Sequence, residues 1–151
     1  MARDEMDMAV TPVLTDLLKL TGAAVPPVQD ILATATSHVR AAVTDDDRVS
    51  ATLIEENQTA AHGLAWLATY AESLRQMQAW AERLQADDKF GEVEQLIHQI
   101  AFGEYLWQIY GGIPMSQGEI VRLQDIGLTQ DQMRGLMTPE IQTLTQEGNT
   151  Q

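Results

Sequence analysis

The chain has 151 residues, of which 44% are hydrophobic and 21% charged, so one domain with a real core is expected. Nine basic residues stand against 22 acidic ones, and the net charge of −13 argues against binding to nucleic acids or to anionic membranes. The absence of cysteine excludes disulfides, thiolate metal sites and a cysteine nucleophile, and it fits the cytoplasmic location that we predict.

The sequence predicts three parts along the chain: a flexible leader, 1–10, a single helical-bundle domain, 11–145, and a tail, 146–151. The leader carries acids and no apolar core region, so it is not typical of a signal peptide. Thr11 followed by proline is typical of a helix start, and Gly22 predicts the end of that first helix.

A second helix is predicted to begin at Pro26 and Pro27, because apolar residues then recur at a spacing close to 3.6. The acidic run Asp45–Asp47 would close this helix and cap the next one. Carboxylates are favourable at a helix amino terminus, so capping explains the run better than a calcium loop, whose alternating spacing and central glycine are missing.

The third helix, from about Asp47 to Ala86, contains no proline and one glycine, Gly63. It is long for a small domain, so it either kinks near Gly63 or has part of its length in a partner. Two adjacent apolar seams run along its second half, which predicts contacts with several neighbours. The helix looks too long and too apolar to be satisfied inside one small domain. Its exposed apolar surface would then serve a partner, either a second copy or a larger enzyme.

A fourth helix is predicted from about Phe90 to Tyr110, with Gly103 in its middle. Glycine costs about 1 kcal/mol there relative to alanine, which indicates the close approach of another backbone. Its apolar residues are Val93, Leu96, Ile97, Ile100, Ala101, Leu106, Trp107 and Ile109.

Short helices are expected beyond Pro114. One covers 116–123, another follows Thr129, and a third begins at Thr138, which precedes a proline. No strand pattern of any length is evident. The sequence therefore predicts an all-α bundle of about four main helices with short carboxy-terminal helices, whose core is the antiparallel pair 60–86 and 90–110. Three tryptophans should be buried in it: Trp66, Trp80 and Trp107.

The residues give no indication of catalysis or of a metal site. The histidines His38, His62 and His98 form no His-Glu-x-x-His pattern, and each is interpreted as a boundary or surface residue. His62 precedes a tryptophan by four residues, which indicates one ring packed on another. No serine stands in a nucleophile elbow, and no phosphate loop or dinucleotide fingerprint is present.

One segment stands out at the end of the fourth helix, where Gln108 precedes the glycine pair Gly111 and Gly112. Gln108 could direct its amide at a ligand, and the glycines would let that ligand approach the backbone. The same glycines, followed by Ile113 and Pro114, also explain the end of the helix without any ligand.

This segment, Gln108-Ile109-Tyr110-Gly111-Gly112, resembles the Gln-x-x-Gly-Gly segment in the carboxy-terminal helical domain of the acyl-CoA dehydrogenases. The stretches 62–70 and 113–122 look like the extra amino-terminal helical region of methylsuccinyl-CoA dehydrogenases, and the resemblance covers 11–128. It implies FAD contact by Gln108, Gly111 and Gly112. The middle β-domain, the amino-terminal helical domain and the catalytic carboxylate segment of that family have no counterpart in this sequence.

From the resemblance we expect a non-catalytic accessory or oligomerisation module, without a cofactor of its own, that forms a homodimer or docks onto an FAD-containing flavoenzyme core. One alternative is a subunit or fragment that contributes part of a flavin or acyl-CoA site. A second alternative is a stand-alone helical binder of a small apolar ligand, held around Tyr70, Trp80 and Trp107.

Overall fold

A computed structural model describes residues 12–149, and the predicted leader, the cap at Thr11 and residues 150–151 lie outside this range. Within it six α-helices form a bundle, so the predicted all-α fold is confirmed. The helices are α1 (Leu17–Val43), α2 (Ala51–Glu56), α3 (Gln58–Ala86), α4 (Glu92–Gly111), α5 (Gln130–Leu136) and α6 (Pro139–Gln146). Two antiparallel pairs of short strands are β1 (Thr44–Asp45) with β2 (Arg48–Val49) and β3 (Ile113–Pro114) with β4 (Ile120–Val121).

The two helices predicted before residue 43 are one continuous helix, α1, so the stop at Gly22 and the new start at the prolines are wrong. Pro26 is exposed and Pro27 half-buried, and both therefore lie away from the core. The carbonyl groups that lose amide partners belong to half-buried Gly22 and exposed Ala23, where water can replace the partner. Packing of the opposite, buried stripe outweighs the two prolines, and that stripe consists of Leu17, Thr21, Ala24, Val28, Ile31, Ala35, Val39 and Val43.

The acidic run after α1 forms a hairpin turn between β1 and β2, so the predicted helix capping by Asp45–Asp47 is wrong. Asp46 and Asp47 have φ of 44° and 59°, and two positive φ values are what a two-residue hairpin turn requires. The cap of α2 is Ser50, whose hydroxyl oxygen accepts a hydrogen bond from the Leu53 amide.

The long third helix is interrupted at Asn57, between α2 and α3, and does not kink at Gly63. The side-chain amide of Asn57 donates to the carbonyl of Leu53 and thereby closes α2. Gly63 is buried within continuous α3, where a Cβ atom would collide with the Val121 side chain of β4. Glycine is therefore needed at this position for close packing rather than for bending.

The core lies where α1 packs across α3 and α4, the predicted antiparallel pair, while α6 packs against α1 and α4. The close approach predicted at Gly103 is present, because a Cβ atom there would lie 3.0 Å from the carbonyl oxygen of Leu144 in α6. Within the predicted tail, Gly148 is buried and its carbonyl accepts a hydrogen bond from the Gln99 amide. The domain boundaries themselves stay a prediction.

Beyond α4 the chain forms the β3–β4 hairpin, which replaces the helix predicted over 116–123 except for a short turn of 3-10 helix, Ser116–Gly118. β-Branched residues pair across the hairpin, Ile113 opposite Val121. The two later helices are present as predicted: Thr129 forms a capping box at the start of α5, and Thr138 caps α6.

The tryptophans are less buried than predicted. Trp66 and Trp80 are half-buried, and the side chain of Trp107 is 47% exposed. The prediction for Trp107 is wrong because neighbouring helices cover the other sides of α4 and leave its outer side open. Among residues 12–149, no helix combines the length and the hydropathy that a membrane span requires.

Candidate functional site

The carboxy-terminal end of α4 brings Gln108 against two stacked tyrosines. The Tyr70 hydroxyl on α3 donates a hydrogen bond of 2.6 Å to Oε1 of Gln108, and the rings of Tyr70 and Tyr105 are stacked 4.6 Å apart. Burial, with a smaller contribution from Tyr105, raises the pKa of Tyr70, so its hydroxyl stays a donor at neutral pH. The Gln108 Nε2 group has no partner among the described residues and remains free to donate to a ligand.

The two glycines beside Gln108 differ in their surroundings. Gly111 is the exposed last residue of α4, and a Cβ atom there would meet no atom of the described residues within 4 Å. Gly112 has φ of 139°, and a Cβ atom there would lie 2.5 Å from Cγ2 of Ile120. Gly112 is therefore required by the turn into β3, whereas Gly111 offers open backbone to an approaching group.

The outer face of α4, as we call Val93, Ile97, Ile100 and Trp107, is apolar and open to solvent. These four side chains are 63%, 52%, 47% and 47% exposed. At about 100° per residue, they and Gly111 project within about 40° of one direction along the helix. Gly111 and the apolar stripe thus lie on the same side of α4, and Trp107 is stacked on Tyr110 with ring centroids 6.2 Å apart. Gln108 lies at the edge of this side, towards Tyr70 of α3.

The partner surface was expected on the third helix, 47–86, where Val49 of β2 and Ile54 of α2 are the large apolar side chains that are exposed. Among the described residues of α3 and α4, the exposed large apolar side chains all lie on α4. A signal for this was present. The apolar residues of α4 occupy more of its circumference than one buried stripe needs, and only part of that circumference can face α1, α3 and α6.

A shallow cavity of about 470 Å³ lies between α3 and α4, next to the outer face. Trp80 and Tyr105 line it, and Tyr70 stacks behind Tyr105, but Trp107 is not part of the lining. The aromatic trio proposed for a small apolar ligand therefore does not form one pocket. A second cavity of about 660 Å³ separates the start of α3 from the β3–β4 hairpin, and both stretches of the resemblance contribute to it through His62 and Met115.

The histidines differ from one another. His38 and His62 are exposed, as expected, and Trp66 Nε1 donates to His62 Nε2 at 3.0 Å, which confirms the predicted ring contact. His98 is completely buried, so its interpretation as a boundary or surface residue is wrong. The described residues contain no cluster of three potential metal-ligating side chains.

Comparison with known proteins supports the resemblance. No family model matches the chain. Over 143 residues, which are 95% of this chain, it is 53% identical to a (2S)-methylsuccinyl-CoA dehydrogenase of Cereibacter sphaeroides. The chain spans 25% of the length of that enzyme. The predicted resemblance is therefore confirmed: almost the whole chain is similar in sequence to one part of a methylsuccinyl-CoA dehydrogenase.

Proposed function

We propose that this chain is a non-catalytic helical accessory module that docks, in the cytoplasm, onto an FAD-dependent acyl-CoA dehydrogenase through the outer face of α4. The observation that carries the proposal is the match of nearly the whole chain to a quarter of such an enzyme. A domain that corresponds to one part of a larger enzyme has neighbours there, and a surface that packs against a neighbour is exposed when the domain is alone.

The outer face of α4 has the properties of such a surface. Apolar stripes on monomeric proteins are commonly interaction sites, particularly where charged residues are sparse at the centre. Glu104 is an exposed carboxylate at the centre of the stripe, and the hydrogen bond that Asn149 donates to it would keep it partnered within a contact. Trp107 contributes a large, half-exposed ring of the kind that anchors many interfaces.

Docking is tested by introducing charge into this face. The tagged double variant Ile97→Glu/Ile100→Glu, isolated from the source cell, should lose an acyl-CoA dehydrogenase flavoprotein that co-purifies with the native chain. We expect at least about a ten-fold loss, because burying unpaired carboxylates in an apolar contact is costly. The measurement is the flavin and enzyme content of the eluate.

The matched control is Val49→Glu, which charges an exposed apolar residue of the β1–β2 hairpin, 65% exposed, on another part of the domain. It should retain the flavoprotein. Retention by the double variant would contradict docking through α4. Light scattering on the purified native chain tests the other expected partner, a second copy of the chain. If the native chain is a dimer, binds no flavoprotein and becomes a monomer in Ile97→Glu/Ile100→Glu, the result would favour a homodimer over an enzyme partner.

The alternative function, a contribution to a flavin or acyl-CoA site, is favoured by the free Gln108 Nε2 and the open backbone at Gly111. Bound FAD would supply the redox chemistry. This chain could contribute an amide donor and room for a phosphate or a ring edge beside Gly111. Gly112, which the turn requires, is not evidence for a ligand.

For the isolated chain we expect no change in melting temperature on adding FAD or a CoA ester, and colourless protein. Gln108→Ala should lower stability by about 1 kcal/mol, because the Tyr70 hydroxyl loses its acceptor. Gln124→Ala, on an exposed residue, is the control. A reproducible ligand-dependent rise in melting temperature that Gln108→Ala removes and Gln124→Ala keeps would establish the alternative.

A further inference from the structure

A chain of buried polar side chains crosses the three long helices. Thr21 of α1 and His98 of α4 are fully buried, and Gln78 of α3 is 8% exposed. The Thr21 hydroxyl lies 3.0 Å from Nε2 of His98 and 2.7 Å from Oε1 of Gln78. Buried polar groups of this kind are costly unless each one is satisfied, so their hydrogen bonds decide what they do.

The direction of these hydrogen bonds follows from the donors available. Gln78 Nε2 donates to the Leu18 carbonyl and to Glu82, which leaves Oε1 of Gln78 as an acceptor. The Thr21 hydroxyl proton then goes to Gln78 Oε1 or to carbonyl oxygens of its own helix, all of which only accept. The hydrogen between His98 and Thr21 must therefore come from His98, which fixes the neutral tautomer with the proton on Nε2.

The other ring nitrogen of His98, Nδ1, has no hydrogen-bond partner within residues 12–149. This atom is buried, and the side chains around the ring include three aromatic rings, Trp80, Phe90 and Phe102. Glu82 on α3 is the charge that acts on the ring, while α1 contributes the uncharged Thr21. A proton on Nδ1 would thus create a buried charge and a donor without an acceptor.

We propose that Thr21, Gln78 and His98 form an acid-sensitive latch, which holds α1, α3 and α4 together while the His98 ring is neutral and loosens their packing when the ring takes up a proton. The latch uses residues in the interior of the bundle and is independent of the proposed docking face.

The pH range follows from the two states of the ring. Burial lowers the pKa of His98 from 6.5 to about 4, and Glu82 opposes part of this shift. Between these values the unfolded chain binds a proton at His98 that the folded chain does not. The stabilising contribution of neutral His98 is therefore complete above about pH 6.5 and is lost as the pH falls towards 4.

The test is urea unfolding of the native chain and of His98→Phe and His98→Gln at several pH values between 7 and 4. The folding equilibrium constant of the native chain should fall about 100-fold more over this range than that of either variant, because neither replacement titrates. Phenylalanine fits the aromatic surroundings, and glutamine keeps a donor for Thr21, so one variant remains informative if the other fails to fold. His38→Gln, which removes an exposed histidine, should behave like the native chain.

Nitrogen NMR of the histidine rings provides the second measurement. At pH 7 the His98 ring should show the neutral tautomer protonated at Nε2, and it should keep that form well below pH 6.5, because burial lowers its pKa to about 4. A His98 ring protonated at Nδ1, a titration near pH 6.5, or an undiminished acid sensitivity in both His98 variants would each overturn the latch.

Discussion

Replacing Phe102 by alanine will lower the free energy of unfolding by about 3–5 kcal/mol, because it removes a fully buried ring from the centre of the bundle. The ring lies against His98, with centroids 4.8 Å apart, so the surrounding helices cannot close the cavity without moving a second buried ring. Urea unfolding followed by circular dichroism measures the loss.

The matched control is Ile100→Ala, two residues earlier on the same helix. Ile100 is 47% exposed, so its truncation should cost less than about 1 kcal/mol. The pair thus compares two large apolar side chains of α4, one that holds the fold together and one on the proposed docking face. Equal losses would mean that the outer face of α4 is already buried in the isolated chain, as it would be in a homodimer.

The fold class was predictable because it depends on hydrophobic periodicity, which several long segments show clearly. The boundaries failed where tertiary packing overrides local signals. Pro26 and Pro27 are strong helix breakers, yet α1 continues because its buried stripe runs on past them on the opposite side. Asp46 and Asp47 are as compatible with a helix start as with a tight turn. Only the pairing of β1 with β2 shows that they form the turn.

The candidate site shows the same limit. The sequence indicated Gln108 and both glycines, but it could not separate the glycine that the turn requires from the one that leaves the backbone open. That distinction depends on Ile120, which the β3–β4 hairpin brings back against Gly112. The outer face of α4 was not predicted. The sequence shows that Ile97 and Ile100 are apolar, but it does not show whether a neighbouring helix covers them.

Gly112→Ala will lower the free energy of unfolding by about 2–4 kcal/mol, whereas Gly111→Ala will leave it unchanged or raise it by up to about 1 kcal/mol. Gly112 has φ of 139°, which strains any residue with a Cβ atom, and that atom would lie 2.5 Å from Ile120 Cγ2. Gly111 is helical and has open space around it, so alanine gains helix propensity there. Thermal and urea unfolding of the two variants measure the difference.

The same pair of variants separates structure from function at this site. If Gly111 admits a flavin or CoA group, Gly111→Ala should weaken binding of that group without harming the fold, because the added methyl occupies space that the fold does not use. If α4 only docks against an enzyme surface, Gly111→Ala should retain the co-purified flavoprotein at close to the native level. One methyl group at the end of the stripe is a small change compared with the two charges that Ile97→Glu/Ile100→Glu places at its centre. A destabilised Gly111→Ala variant would contradict the open surroundings on which both readings depend.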